Sequence, residues 1–369
     1  MPLSLVDIIL VIGMSQGLFL ALAIQLLPNK NKKANRTLSI ILLIASLTLF
    51  VRAVPFIITG NIKLGIIADT TIYIFGPLLY SYIRQLTFNE KPAFRLNWYH
   101  YTPIFLNIIY FIWSLFYSVT ELNELIKLGK LNIMFFIVEL GGLLSIAFYW
   151  IQSFLILKKF KQIQKNQLSF NQNIIRYLTF VLSALAFFLI LWLLTFVCLY
   201  SFGYYSNYIN YTTMWLSAPV FIYFIGFFSL TQPNIFRLPL ENKLAAKKTI
   251  VRLKPEEIEL LKNRLNELIT EDNIHTTPHL SLKSLSEALN TSSNNLSWLL
   301  NQVYKKTFYE YINHFRIEDF LQKIQENQHQ SKTLLAIAMD SGFNSKSTFN
   351  KAFKAIMNDT PSNYIKQNL

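Results

Sequence analysis

Charged residues are scarce in this chain. They make up 15% of its 369 residues, whereas a water-soluble globular domain has about 25%, so part of the chain must face something other than water. Cysteine is almost absent: the single one, Cys198, excludes an intramolecular disulfide framework. The glycine-rich motifs G-x-x-x-x-G-K-[S/T] and G-x-G-x-x-G, which cradle phosphates, are missing from the C-terminal region. Their absence argues against a nucleotide site there.

Residues that could carry chemistry are equally sparse. His275 and His279 stand four positions apart, but Pro278 lies between them and disfavours a shared helical face. No cysteine or further histidine that could complete a zinc site stands nearby. No paired catalytic residues are evident either, so the sequence predicts no catalytic site, no metal and no cofactor.

Long apolar runs dominate the first two thirds of the chain. Each holds roughly 18 to 25 residues, and a helix needs about 20 residues to cross a hydrocarbon core. Helices are the expected form because lipid offers no partner for a free backbone N–H or C=O. The predicted spans are Leu3–Leu27, Leu38–Thr59, Ile66–Ile83, Tyr99–Val119, Ile133–Leu157, Tyr177–Ser201 and Tyr211–Leu230.

Positive charge is distributed unevenly. Residues 1–253 contain 21 Lys and Arg against 7 Asp and Glu, whereas residues 254–369 contain 13 of each kind. The loops after the first, third and fifth predicted spans hold 12 Lys and Arg, and the other three loops hold 3. Because Lys and Arg concentrate in cytoplasmic loops, we expect a multi-pass protein of the cell inner membrane. Its N-terminus would lie outside and its C-terminal domain in the cytoplasm.

Composition predicts three regions. Residues 1–232 form a transmembrane sensor or anchor module, residues 233–279 a juxtamembrane linker and helix, and residues 280–369 a soluble helical domain. The helix of the linker carries an apolar stripe with two interpretations. We favour packing of the stripe against the following domain over a dimer seam that relays a signal. The stripe consists of Ile258, Leu261, Leu265 and Leu268.

Two similar helix pairs are predicted in the C-terminal domain. The first covers about 282–304, where Asn290 suits a left-handed turn and Ser292 can cap the second helix. The second covers about 333–357, and an amphipathic helix over about 308–326 connects the two. The sequence therefore predicts an all-α protein. A seven-transmembrane-helix bundle would precede a cytoplasmic all-helical domain with two helix-turn-helix units.

The C-terminal domain contains sequence motifs that are specific enough to indicate a family. "LSLKSLSEALNTSSNNLSWLL" opens the domain, "FYEYINHFRI" follows, and "AIAMDSGFNSKSTFNKAFK" with "TPSNYI" closes it. In this order and spacing, over about 90 residues, they resemble the DNA-binding domain of AraC/XylS-type transcription regulators. The whole chain is similar to membrane-bound AraC-type bacterial regulators. The resemblance implies a membrane-anchored, sequence-specific DNA-binding transcription regulator, gated by a signal sensed in the membrane module.

The resemblance also indicates the DNA-contacting residues. Amides of the first recognition helix suit adenine edges in the major groove, and lysines of the second suit phosphates. The family often has arginine where Trp298 stands, and glycine where Lys305 and Asn358 stand. Residues 280–369 hold 10 basic and 7 acidic side chains, so we expect a shallow salt dependence. The expected contacts are Ser292, Asn294, Asn295, Ser297, Trp298, Asn301, Ser345, Lys346, Ser347, Asn350, Lys351 and Lys354.

Ionisable residues inside the predicted spans are candidates for membrane sensing, because such groups are costly in lipid. They are Arg52, Asp69 and Glu139, and the topology allows a Glu139–Arg52 pair. Inter-helix packing without a sensing role is the alternative.

The expected partners are double-stranded DNA at promoter sites and the lipid bilayer. RNA polymerase, a second copy of the chain, and an unknown small-molecule or membrane-protein signal are further candidates. The alternative function is a membrane receptor or transporter-like protein whose helical tail binds a protein partner.

Overall fold

The computed structural model describes residues 5–26, 31–53, 61–88, 96–170, 173–203, 210–231 and 253–368. Within these ranges the protein is all-helical, which confirms the all-α part of the predicted fold class; an isolated bridge joins Leu168 to Ser281, and no β-strand is present. The described residues fall into two compact units. The first lies within Met1–Lys158 and Asn173–Lys243, and the second within Lys159–Gln172 and Leu244–Leu369. Residues 233–252 of the predicted linker lie outside the described residues.

The first unit is built from apolar helices that approach closely through small residues. A Cβ added to Gly13 would lie 2.5 Å from the Pro219 side chain, and one added to Gly17 would lie 2.1 Å from Ser46 Oγ. Small residues permit this approach in membrane bundles. The helices are α1 (Leu5–Leu26), α2 (Lys32–Ala53), α3 (Ile62–Thr70), α4 (Ile72–Thr87), α5 (Thr102–Leu115), α6 (Val119–Lys127), α7 (Asn132–Gln167), α8 (Asn173–Phe202) and α9 (Tyr211–Thr231).

The number of membrane spans differs from the seven predicted. Among the described residues, five stretches are long and apolar enough to cross a membrane; α5 and α6 make a sixth only if this pair, bent by 110°, counts as one span. The seventh predicted span corresponds to α9, Tyr211–Thr231, within which Met214–Phe228 is an apolar stretch. The five stretches are Leu5–Leu26, Lys32–Arg52, Ile62–Thr87, Asn132–Gln167 and Ile174–Phe202.

The fourth predicted span, Tyr99–Val119, contains a short helix and ends at a helix cap, after which the chain bends by 110°. The Ser118 hydroxyl accepts a hydrogen bond from Glu121 N (3.2 Å), and Glu121 Oε2 accepts one from Ser118 N (2.7 Å). This reciprocal capping box starts a new helix. Helix α5 has only 14 residues, about 21 Å at 1.5 Å per residue, which is short of the ~30 Å hydrocarbon core.

The second unit contains the C-terminal helices. They are α10 (Pro255–Thr270), α11 (Leu282–Ala288), α12 (Ser293–Trp298, continued by a π-turn over Leu299–Val303), α13 (Phe308–Gln325), α14 (Leu334–Asp340), α15 (Lys346–Met357) and α16 (Pro361–Asn368). Leu261 and Leu265 of α10 are buried in one cluster with residues of α11 and α12, and Ile258 and Leu268 pack against it. The packing interpretation of the α10 stripe is therefore confirmed.

Helix α13 is shared by two hydrophobic cores. Phe308 and Ile312 near its start belong to the cluster of α10, α11 and α12. Ile317, Phe320 and Ile324 further along belong to the cluster of α14 and α15. Thr307 begins the helix with a capping box to Glu310. Because residues of α13 belong to both clusters, this helix holds the two helix pairs in one unit.

Candidate nucleic-acid interface

The first helix pair presents amides outward. Asn290 has a φ of 51° in the turn before α12, and the Ser292 hydroxyl accepts from Asn295 N at 3.1 Å. This left-handed turn and cap fix the start of α12. Because Leu296 is fully buried, the opposite face turns outward: Asn294 is exposed, and Ser297, Trp298 and Asn301 are half-buried.

Two of these amides are already engaged within the helix. Asn301 Nδ2 donates to Ser297 O at 2.7 Å, and Asn295 Nδ2 donates to Thr291 Oγ1 at 3.3 Å. A base edge would have to compete with these local hydrogen bonds. Asn294 is the predicted contact on α12 that is both exposed and a side-chain amide.

The second pair presents lysines. Gly342, with a φ of 92°, makes the turn after α14, and the Ser345 hydroxyl accepts from Thr348 N at 3.2 Å to cap α15. Phe349 and Phe353 are buried. The opposite face carries exposed Lys346, Ser347, Asn350, Lys351 and Lys354, and no acidic residue stands between Asp340 and Asp359.

Lys351 lies in a positively charged neighbourhood that sequence reasoning missed. Its ammonium lies 5.9 Å from the centre of the Tyr309 ring. Partial burial lowers the pKa of Lys351, and the nearby Lys161 and Lys165 at the end of α7 lower it further. Like charges that gather on one surface favour an anionic partner such as a phosphate. No sequence signal could place Lys161 here, since it precedes Lys351 by 190 residues.

Two residues that depart from the family pattern have a left-handed backbone conformation. Lys305 and Asn358 have φ values of 54° and 57°, in the left-handed region where glycine is free of the steric cost that other residues bear. The structure thus shows why glycine is common at both positions in the resembled family. Asparagine tolerates this conformation better than lysine does.

The candidate sensing residues are partnered inside the first unit. Arg52 forms an ion pair with Asp69, and its guanidinium carbon lies 4.6 Å from the centre of the Trp215 ring. Glu139 instead accepts a hydrogen bond from the Tyr211 hydroxyl at 2.7 Å. Arg52 is therefore paired with Asp69, not with Glu139 as the topology argument allowed.

The first unit also contains an apolar cavity of about 490 Å³, lined by residues of α2, α4, α7, α8 and α9. The hydroxyls of Tyr82 and Tyr177, which line it, lie 2.8 Å apart and bond to each other. This pairing leaves an almost wholly apolar wall, so the cavity suits an apolar molecule.

Comparison with known families identifies the C-terminal region. Residues 285–367 match the family model described as "Helix-turn-helix domain", which is the AraC-type helix-turn-helix. The match begins within α11 and ends within α16, so it covers both helix pairs and α13. No curated protein matches the chain, and no solved structure matches it. The match of residues 285–367 to the AraC-type helix-turn-helix supports a DNA-binding transcription regulator.

Proposed function

We propose that the protein is a membrane-anchored transcription regulator that binds specific DNA sites through two helix-turn-helix units. The first unit would be α11 with α12 and the second α14 with α15. The observation that carries the proposal is the coincidence of the family match over residues 285–367 with the outward amide and lysine faces of α12 and α15. These faces lie in one compact unit, joined by α13.

Each recognition helix, α12 and α15, would enter the major groove of duplex DNA. Asn294 can pair bidentately with adenine, because an amide offers a donor and an acceptor side by side. Lys346 and Lys354 lie on α15 and are exposed, which suits contacts to phosphates. Phosphate contacts set the position of the domain, and base contacts set the sequence it prefers.

Anchoring in the inner membrane is supported by the five apolar stretches of the first unit. The cytoplasmic position of the tail is supported by the lysines at the end of α7, Lys158, Lys159, Lys161 and Lys165. Leu168, which directly follows α7, forms a bridge with Ser281 of the tail, and such a contact requires both on one side of the membrane. The apolar cavity of the first unit supports an apolar molecule or lipid chain as the signal.

The direct test uses the full chain in phospholipid nanodiscs. DNA sequences that bind are selected from a random library, and the affinity for the selected site is measured at several salt concentrations. We expect a bound consensus and a salt slope that corresponds to a few phosphate contacts. The absence of any enriched sequence would refute the proposal and favour a tail that binds a protein partner.

Variants test whether the lysines of α15 contact DNA phosphates. Lys346→Gln and Lys354→Gln should each weaken binding to all sequences and reduce the salt slope by about 1. Lys262→Gln is the matched control, since Lys262 lies on α10 and pairs with Glu259 at 2.8 Å. An equal loss in all three variants would show that these lysines do not contact phosphates.

A further inference from the structure

The chain after α7 is built into the C-terminal unit. Residues Lys159–Gln172 cluster with the tail, and we call Leu168–Phe170 the docking segment. Leu168 forms an antiparallel bridge with Ser281. The main-chain N–H and the hydroxyl of Ser169 both donate to Leu280 O, at 3.4 and 2.8 Å. The docking segment is thereby fixed to the residues that precede α11.

A buried arginine is partnered by the docking segment. Arg316 of α13 has no exposed surface, and its Nη1 donates to Ser169 O at 3.4 Å. Its Nε and Nη2 donate to His275 O (2.7 Å) and Thr277 O (3.0 Å). Asn313 Nδ2 also donates to Ser169 O, at 2.9 Å. Burial lowers the pKa of Arg316 to about 10, so the group stays charged at neutral pH and needs these acceptors.

The docking segment also reaches the turn that begins α15. The Phe170 ring meets the His279 ring edge to face, with centres 5.0 Å apart. Asn344 Oδ1 accepts from His279 Nδ1 (2.7 Å) and from His279 N (3.1 Å), and Asn344 Nδ2 donates to Gly342 O (3.1 Å). Ser345, the next residue, caps α15. A contiguous set of contacts therefore runs from Phe170 to the start of the second recognition helix.

Two features oppose this arrangement. Gln164, one turn before the docking segment, is 3% exposed, and its side-chain amide has no hydrogen-bond partner among the described residues. Burying an unpaired amide is costly. Lys161 and Lys165 also stand close enough to Lys351 to repel it. The docked arrangement therefore combines stabilising contacts with energetic costs.

We propose that the docking segment is a control element that holds α15 in its DNA-competent arrangement and so makes DNA binding depend on the position of α7. The proposal rests on the proposed function, because it needs α15 to bind DNA. Helix α7 begins in the first unit at Asn132 and ends in the second at Gln167. A displacement of α7 by a membrane signal would pull Ser169 O from Arg316 and Phe170 from His279.

The test measures hydrogen exchange and DNA affinity of the full chain in phospholipid nanodiscs. Phe170→Ala should raise amide exchange over residues 342–348 at least fivefold and weaken binding to the selected DNA by a similar factor. Gln164→Met, which removes the unpaired amide, should slow the same exchange. Phe19→Ala is the control, because Phe19 is a phenylalanine of α1 in the first unit that is 71% exposed and does not line the apolar cavity.

A double variant tests whether Phe170 acts on the start of α15 through its contact with His279. In a His279→Ala background, Phe170→Ala should have little further effect on exchange over residues 342–348, since the two changes break one contact path. Exchange that stays at the wild-type rate in both Phe170→Ala and Gln164→Met would overturn the proposal. If the wild type selects no DNA, the proposed function fails. The hydrogen-exchange rates over residues 342–348 still show whether the docking segment stabilises the start of α15. Altered exchange with unchanged DNA affinity would overturn the control role.

Discussion

Single residues in the second unit are held in conformations and ionisation states that carry an energetic cost. Lys305 adopts a left-handed backbone with a φ of 54°, which costs an L-residue with a Cβ about 1 kcal/mol or more. His275 is buried, and burial lowers its pKa; Arg316 adds to this effect, while Asp319 opposes it. Each residue yields a measurable consequence for stability.

Replacing Lys305 with glycine should stabilise the C-terminal unit by about 0.5 to 1 kcal/mol, because relief of the left-handed strain exceeds the added chain entropy. Asn358→Gly should stabilise the unit by a smaller amount, since asparagine tolerates the same conformation better than lysine does. Pulse proteolysis in urea of the nanodisc-embedded protein measures both. A lower urea midpoint for Lys305→Gly would contradict the strain argument.

The pKa of His275 predicts a pH dependence. In the unfolded chain the imidazole titrates near ~6.5, whereas in the folded protein its pKa is lower. The unfolded state therefore binds the proton first, and stability falls as the pH drops below about 6.5 until the folded pKa is passed. Urea midpoints at pH 7.5 and 6.0 should differ for the wild type and differ less for His275→Leu. Equal differences would refute the assignment.

At the scale of elements, a tight turn positions α15. A Cβ on Gly342 would lie 2.7 Å from His275 O and 2.8 Å from Thr276 C, at a φ of 92°. No flexible side-chain end is available to move aside, because all three nearest atoms belong to the backbone. The turn between α14 and α15 is therefore fixed by the segment that precedes α11.

Gly342→Ala should destabilise the C-terminal unit by about 2 kcal/mol or more, from combined backbone strain and close contact. It should also weaken DNA binding at temperatures where the unit stays folded, since α15 would shift. Circular dichroism and the urea midpoint measure the first effect, and anisotropy with the selected site measures the second. Wild-type stability of this variant would show that the turn can relax.

Helices and caps of the second unit could be predicted because their signals are local. Asn290, Ser292 and Gly342 each indicate a turn or cap through their own chemistry, and Leu261 and Leu265 indicate a buried stripe through helical spacing. The docking segment could not be predicted, because Ser169 and Arg316 stand 147 positions apart. The fourth predicted span reaches Val119 because apolarity alone gives no signal for the end of α5 at Leu115.

At the scale of the whole molecule, topology decides whether DNA can be reached. Alkaline phosphatase fused after residue 368 should be inactive and β-galactosidase fused there active, because the proposed tail lies in the cytoplasm. Fusion of the same reporters within the loop after α7 should give the same result, since Leu168 pairs with Ser281. Active phosphatase at either position would exclude the proposed topology.

The long sequence separation of the Ser169 contacts also governs how the protein is made. During synthesis the carbonyl oxygen of Ser169 cannot accept hydrogen bonds from Asn313 and Arg316 until these residues are made, 144 and 147 residues later. At a synthesis rate of about 5 to 20 residues per second, this takes roughly 7 to 30 s. Throughout that time the nascent chain exposes an unfinished surface to chaperones and proteases. A chain truncated before Asn313 would lack both of these side-chain partners and would keep this surface exposed.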